Sequence, residues 1–192
     1  MVAPVFLSYC GITLEPLTMA HAEGLSEACQ DGELWTIEVT SAPSPESIID
    51  YIQLADSMDN RLAFAVIDNV SGRVIGSTSY HDILPNAKRL EIGYTWYAQS
   101  YWRTHVNTVC KLMLLTHAFE TLGYQTVGWR TDGENVQSQK AIERLGAKKD
   151  GVIRGNRVRR NGIIADTVMY SMVANEWPNA KAMLEQKLAH YS

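Results

Sequence analysis

One part of the chain constrains the fold more than any other: an alternating segment, residues 90–97, followed closely by a long helical pattern over residues 104–122. The helical pattern has apolar residues on two sides, so the predicted helix must be buried between other elements. Alternation sends successive side chains of a strand to opposite faces of a sheet. The sequence therefore predicts an apolar face of Leu90, Ile92, Tyr94 and Trp96 and a second face of Glu91, Gly93, Thr95 and Tyr97. The second face places a carboxylate beside a residue without a side chain, which suits the wall of a cleft.

The elements on both sides of this unit predict a mixed domain. Strands are predicted at 12–16, 62–70, 73–80 and 126–131, helices at 18–29, 44–58, 134–145 and from 175, and a hairpin of 152–153 and 163–173 around Asn161-Gly162. Mostly antiparallel strands thus precede a strand–helix–strand–helix unit and a last hairpin. This order indicates an α+β (mixed α/β) fold, and 192 residues suit a single domain over 1–192.

Charge and cysteine usage exclude several classes of function. The chain has 17 basic and 21 acidic residues and a net charge of -4, which argues against a broad nucleic-acid or membrane surface. Its three cysteines, Cys10, Cys29 and Cys110, are odd in number and far apart, so they predict neither a disulfide framework nor a metal site. The first residues lack a basic segment followed by a long apolar stretch. We therefore expect a soluble cytoplasmic protein.

The junction between the strand and the buried helix, residues 99–108, is a candidate anion site. A helix start presents unpaired backbone N–H groups and the positive end of the helix dipole, and these groups bind phosphates well. Arg103 adds a positive charge beside them. From these residues alone an ordinary helix start with an exposed arginine is the alternative, since no glycine-rich loop is present.

A second candidate lies on the predicted helix at 134–145. Ser138, Ala141, Ile142 and Leu145 recur at helical spacing, so a serine lies on the buried stripe. Asn135 precedes it by about one turn. A buried hydroxyl needs a partner, and the alternative to a catalytic role is a hydrogen bond to the carbonyl one turn back.

Together these segments resemble the GNAT superfamily of N-acetyltransferases, and more closely its RimJ/RimL-like branch of ribosomal-protein N-alpha-acetyltransferases. The matching words are Leu90-Glu-Ile-Gly-Tyr94, Asn107 to Phe119, Thr131 to Asn135 with Ser138, Ala141 to Gly146, Gly151 to Arg154, Asp166 to Ser171 and Glu176-Trp-Pro178. They occur in order over residues 90–178, whereas residues 11–80 match in pattern only.

The resemblance implies a central mixed, mostly antiparallel sheet, splayed where two neighbouring strands part and flanked by helices, with acetyl-CoA in the gap. No metal is expected. The residues implied for cofactor binding are Tyr94, Trp96 and Tyr97 on the strand, Arg103, Thr104, His105, Val106, Asn107 and Thr108 at the helix start, and Asn135 and Ser138 on the next helix. The strand would pair with the pantetheine through its backbone, and the helix start would hold the pyrophosphate.

The phosphate loop departs from the family pattern, which carries two glycines or a glycine and an alanine after a glutamine or arginine. Here the corresponding positions are Trp102, His105 and Asn107. Amides of residues other than glycine can still donate if φ stays negative. His105 would crowd or contact the phosphate, and Arg103 could compensate by pairing with it.

The resemblance also implies an enzyme of the acyltransferase class (EC 2.3.1) that moves an acetyl group directly to a primary amine, either a protein N-terminus or a small molecule. Glu91 is the candidate general base and Ser138 the candidate donor to the leaving sulfur; a structural ion pair of Glu91 with Lys88, Arg89 or another sheet residue is the alternative. Weaker candidates for acceptor contacts are Trp35, Glu38, His81, Asp166 and Tyr170.

Three further expectations concern the alternative function, the basic run and the oligomeric state. The alternative function is a non-catalytic acyl-CoA-binding or regulatory module that retains the fold. The basic run over residues 154–160 is either a solvated hairpin, which we favour, or a rim for an anionic group. The oligomeric state is expected to be a monomer or a homodimer.

Overall fold

A computed structural model describes residues 2–191 as eight strands and five α-helices joined by short 3-10 turns. The strands are β1 (Leu7–Tyr9), β2 (Ile12–Pro16), β3 (Leu62–Asp68), β4 (Arg73–Leu84), β5 (Arg89–Tyr97), β6 (Thr126–Asp132), β7 (Lys148–Val158) and β8 (Ile164–Val173). The helices are α1 (Ala22–Gln30), α2 (Ile48–Ser57), α3 (Val106–Thr116), α4 (Val136–Glu143) and α5 (Trp177–Leu188).

All eight strands form one sheet in the order β1-β2-β3-β4-β5-β6-β8-β7. Every neighbouring pair is antiparallel except β5 and β6, which are parallel because α3 connects them across the sheet. Their register covers only three pairs and ends where Glu91 faces Gly128. The sheet therefore opens between β5 and β6 beyond Glu91, and this gap is the feature that positions the site.

The two faces of the sheet are covered by different helices. One cluster of buried side chains includes Leu90 and Ile92 of β5 and residues from α3, α4 and α5. The other cluster includes residues of α1 and α2 with Trp96 of β5. We call these the α3 face and the α1/α2 face.

The predicted fold class is confirmed, and the predicted elements are present with shifted ends. The hairpin at Ser71-Gly72 forms with a positive φ at Gly72, and the last hairpin turns at Asn161-Gly162. The sequence pattern predicted neither β1 nor the part of β7 outside residues 152–153. The helix predicted to reach residue 122 is α-helical only to Thr116, and a π-helical turn follows.

The side chains of α3 confirm that it is apolar on two sides, since Val109, Cys110, Leu112, Leu114 and Leu115 are all buried. All three cysteines are free. Across residues 2–191, no helix combines the length and apolar character needed to cross a membrane.

Candidate active site

A β-bulge in β5 lies at the centre of the site. Tyr94 has φ +50°, in the left-handed region that residues with a side chain rarely adopt. The register with β4 shifts here, because Gly93 faces Ser79 whereas Trp96 faces Ser77. Two residues of β5 thus take the place of one, and side chains beyond the bulge change faces.

The bulge shows that the predicted alternation over residues 90–97 is wrong beyond Gly93. Trp96 packs in the cluster of α1 and α2, not with Leu90, and Tyr97 lies in the α3 cluster. Thr95 likewise turns to the α3 face, where its hydroxyl accepts a hydrogen bond from Lys111. The physical reason is the extra residue at Tyr94, which the sequence pattern does not reveal.

The gap between β5 and β6 leaves one edge of β5 open. From residue 92 onward β5 is paired with β4 alone among the described strands. Peptide groups on the opposite edge are therefore available to an extended ligand, as at any unpaired strand edge. The open edge leads toward the start of α3.

The start of α3 presents a set of backbone donors. No described acceptor takes a hydrogen bond from the backbone N–H groups at 103–105, 107 and 108; Val106 N donates weakly to Thr104 Oγ1 at 3.4 Å. The first α-helical bond is from Val109 to the carbonyl of His105. With the dipole of an eleven-residue helix behind them, these groups suit an anion.

The backbone of this loop corrects one expectation. Arg103 has φ +61°, so φ does not stay negative throughout the loop. His105 has φ -72° and Asn107 lies within α3, so these substituted glycine positions have conformations open to any residue. The imidazole of His105 stacks on Tyr191, with ring centroids 4.8 Å apart.

Two side chains connect this loop to the end of β5. The Trp102 indole N–H donates to the Tyr97 carbonyl at 2.7 Å, and the Tyr97 hydroxyl donates to Asn107 Oδ1 at 3.3 Å. Burial raises the pKa of Tyr97 well above its ordinary value, so it remains a neutral donor. The loop is thereby fixed relative to the gap.

The start of α4 lies next along the chain after β6. Asn135 is the N-cap: its Oδ1 accepts the backbone N–H of Ser138 at 3.0 Å, and its Nδ2 donates to the Val39 carbonyl at 3.4 Å. The half-buried Ser138 hydroxyl makes no hydrogen bond within residues 2–191, so the bond to a carbonyl one turn back is absent.

On the α1/α2 face, Glu91 is buried in a cluster of charges. Its carboxylate accepts the Nε–H of Arg130 at 2.7 Å, and Arg89 lies 3.6 Å away. Arg130 also donates to Asp82, whose carboxylate is 3.0 Å from Nδ1 of His81. The alternative of an ion pair with Arg89 or another sheet residue therefore describes the geometry of Glu91, and its partner Arg130 was not identified from the sequence.

His81 fills the space that Gly93 leaves. A Cβ at Gly93 would lie 2.3 Å from His81 Nε2, so the missing side chain makes room for an imidazole rather than for an open cleft. Burial lowers the pKa of His81, against the opposing effects of Glu91 and Asp82. The imidazole is therefore neutral at pH 7 and retains a basic nitrogen.

His81, Asp82 and Glu91 offer ligand atoms within 4.8 Å of one another. Arg130 donates to both carboxylates and supplies the positive charge at this position. A metal ion there would be repelled by the guanidinium.

The remaining candidates for acceptor contacts lie in different places. Trp35 is half-buried and its carbonyl accepts from Arg160, while Glu38 and Asp166 are exposed and line two open depressions on either side of Arg159. Tyr170 is fully buried in the α3-face cluster, with its hydroxyl donating to Glu143 at 3.0 Å. The structure therefore leaves the Tyr170 hydroxyl engaged inside the core, and its contact with the acceptor stays a prediction.

Two arginines of the basic run over residues 154–160 form contacts within the protein. Arg159 forms ion pairs with Asp132 at 2.7 Å and Glu134 at 2.9 Å, and Arg160 donates to the carbonyl of Ala42. These arginines hold the loop between α1 and α2 and the start of α4 against the β7–β8 hairpin, which supports a structural role for the run.

Comparison with known proteins agrees with this geometry. Residues 12–148 match the family model described as an acetyltransferase (GNAT) domain. YdaF of Bacillus subtilis (strain 168), named as a ribosomal N-acetyltransferase, is 31% identical over 110 residues, which are 57% of this chain and 59% of that protein. The chain thus aligns with little more than half the length of this relative.

Two solved structures show the same architecture. A GCN5-related N-acetyltransferase from Brucella melitensis is 28% identical with a TM-score of 0.90, covering 98% of this chain and 87% of that one. RimJ of Mycobacterium smegmatis, solved with CoA-disulfide, is 17% identical with a TM-score of 0.80, covering 96% and 95%. The second similarity extends to the fold alone.

Proposed function

Because the chain belongs to the GNAT acetyltransferase family, as the match to more than half of its length shows, we propose that it moves an acetyl group directly from acetyl-CoA to a primary amine. The observation that carries the proposal is the parting of β5 and β6 beyond Glu91, with the unpaired amides of α3 at the end of the gap. An extended thioester with a diphosphate fits both features.

The residues present fit acetyl-CoA. The open edge of β5 at Tyr94, Trp96 and Tyr97 would pair with the amides of the pantetheine arm. The backbone N–H groups of 103–108 would hold the pyrophosphate, and the exposed Arg103 side chain would add a charge-assisted contact. The Asn135 side-chain amide has two hydrogens, one of which is directed to the Val39 carbonyl. The other is available to the pantetheine arm.

Acetyl-CoA would supply an activated acyl carbonyl, and the protein would supply orientation and proton transfer. An N–H group near Tyr97 would stabilise negative charge on the carbonyl oxygen. The Ser138 hydroxyl has a hydrogen to donate to the departing sulfur, since no protein group takes it.

The amine must lose a proton, and Glu91 is the proposed acceptor, through water. It lies on the α1/α2 face beside the bulge, although Arg130 and Arg89 occupy part of its carboxylate. His81, within 4.8 Å of it and neutral at pH 7, is a second candidate base on the same face. If the His81→Asn variant no longer shows the fall of kcat at low pH, His81 is the group that accepts the amine proton.

The acceptor is proposed to be a protein N-terminus or a small primary amine, and the name of YdaF makes ribosomal proteins a class to test. We also propose a cytoplasmic location, one domain over 1–192 and a monomer or homodimer.

The direct test is thiol release from acetyl-CoA across a panel of primary amines and N-terminal peptides. We expect amine-dependent release and a rise in melting temperature with CoA. CoA binding without release under any amine would instead indicate the non-catalytic module, and no CoA-dependent rise in melting temperature would contradict the proposal as a whole.

A further inference from the structure

Arg61 directly precedes β3 on the α1/α2 face, and only 8% of it is exposed. We propose that it binds a carboxylate carried by the acceptor amine. This inference rests on the proposed acetyl transfer and narrows its acceptors to amines that also bear a carboxylate.

The contacts of Arg61 leave its charge without a counterion. Its Nε donates to Ser79 Oγ at 3.1 Å, and its Nη2 donates weakly to the Tyr51 hydroxyl at 3.5 Å. Both acceptors are neutral hydroxyls. Nη1 is buried and has no hydrogen-bond partner within residues 2–191, and no described carboxylate forms an ion pair with this side chain.

Other buried ionic side chains of the protein differ from Arg61 in how their charge is balanced. Glu91 is paired with Arg130 and Asp132 with Arg159. Lys111 is also buried without a carboxylate and is charged at pH 7, but burial lowers its pKa to about 8, so it can release its proton just above neutral pH. A guanidinium cannot do so in a protein, so the charge of Arg61 persists and needs an anion from outside the chain.

Aromatic rings offset part of this charge without completing its hydrogen bonds. The Arg61 guanidinium carbon lies 3.8 Å from the centre of the Tyr94 ring and 5.5 Å from that of Tyr51. A ring face attracts the cation, but the N–H bonds of the guanidinium point along its own plane. The planar fork of a carboxylate matches these unfilled donors.

The position of Arg61 suits an acceptor that also reaches the reacting groups. The half-buried Tyr94 ring contacts Arg61 on one side and His81 at 5.1 Å between ring centres. Glu91 faces His81 across the β4–β5 ladder. One small molecule would therefore place its amine near Glu91 and its carboxylate at Arg61. A shift of the Tyr94 ring would open the space that the carboxylate needs.

The test compares a short amino acid with its carboxamide, which has the same amine but no carboxylate. The ratio of their kcat/KM values is measured in the wild type, in Arg61→Gln and in Arg73→Gln, an exposed arginine on β4 with the matched change. We expect Arg61→Gln to lower the acid-to-amide ratio at least tenfold and Arg73→Gln to leave it unchanged. Comparing ratios between variants cancels the difference in amine basicity.

Each outcome decides the inference separately from the proposed function. Acetylation of both compounds with the same ratio in all three proteins overturns the role of Arg61 and leaves acetyl transfer intact. If neither compound is acetylated, the melting temperature is measured with and without the amino acid. A rise in the wild type that is lost in Arg61→Gln supports the carboxylate site. No rise in the wild type overturns it. If Arg61→Gln does not fold, Arg61→Lys replaces it, with a smaller expected fall in the ratio because the fork is lost.

Discussion

The two faces of β5 handle buried charge in opposite ways. On the α3 face the described cation, Lys111, donates to Thr95 at 2.8 Å and can become neutral. On the α1/α2 face Arg61 and Arg130 carry charges that persist, and Arg130 is paired with Glu91. A fold that needed only stability would favour removable or absent charges. The permanent charges therefore support the proposal that the α1/α2 face meets the acceptor.

The largest expected effect concerns the charged face. Glu91→Gln should lower kcat by about 100-fold, because an amide cannot accept the amine proton. Steady-state kinetics against Glu27→Gln, an exposed carboxylate of α1 that also pairs with an arginine, measures it. Unchanged turnover in Glu91→Gln would leave the carboxylate as a structural partner of Arg130.

The packing of the same face is tested by Gly93→Ala. The new Cβ would lie 2.3 Å from His81 Nε2, so we expect a loss of about 1–3 kcal/mol in the free energy of unfolding. Gly151→Ala, where a Cβ meets nothing within 4 Å, should change it by less than about 0.5 kcal/mol. Equal denaturation midpoints for the two variants would refute the packing of His81 over Gly93.

The other face is tested by Lys111→Met, which should stabilise the protein at pH 7 by about 2 kcal/mol, because a buried charge is removed. The pKa of Lys111 is about 8 when folded and 10.5 in its ordinary state. Between these values the unfolded chain binds more protons, so wild-type stability gains from rising pH. The advantage of the variant should shrink from pH 8 to pH 10.5 in urea titrations, and an advantage independent of pH would contradict the assignment.

The smallest expected effect concerns the start of α4, where two variants distinguish helix capping by Asn135 from a catalytic role of Ser138. Asn135→Ala should cost about 1 kcal/mol of stability, because the side chain caps the helix. Ser138→Ala keeps the backbone N–H that Asn135 binds, so it should change stability little and lower turnover instead. Thermal unfolding and thiol-release rates of the two variants provide the comparison, and full activity in Ser138→Ala would remove its role as donor.

The sequence was sufficient for the fold class through its alternating and helical patterns, and it indicated the gap only through the resemblance carried by segments such as Leu90-Glu-Ile-Gly93. It could not reveal the bulge at Tyr94, since no glycine or proline marks a left-handed residue there. For the same reason it assigned Trp96 and Tyr97 to the wrong faces. Arg61 and Arg130 are distant in sequence from Glu91, and only the pairing of β3, β4, β5 and β6 brings them to one face.

The central claim is that acetyl-CoA binds in the gap between β5 and β6 with its pyrophosphate at the start of α3. A crystal structure with CoA tests it most directly. We expect density for the pantetheine along β5 from Tyr94 to Tyr97 and for the pyrophosphate within hydrogen-bond distance of the amides of residues 103–108. CoA bound elsewhere, or a gap that closes with β5 paired to β6 beyond Glu91, would contradict the account.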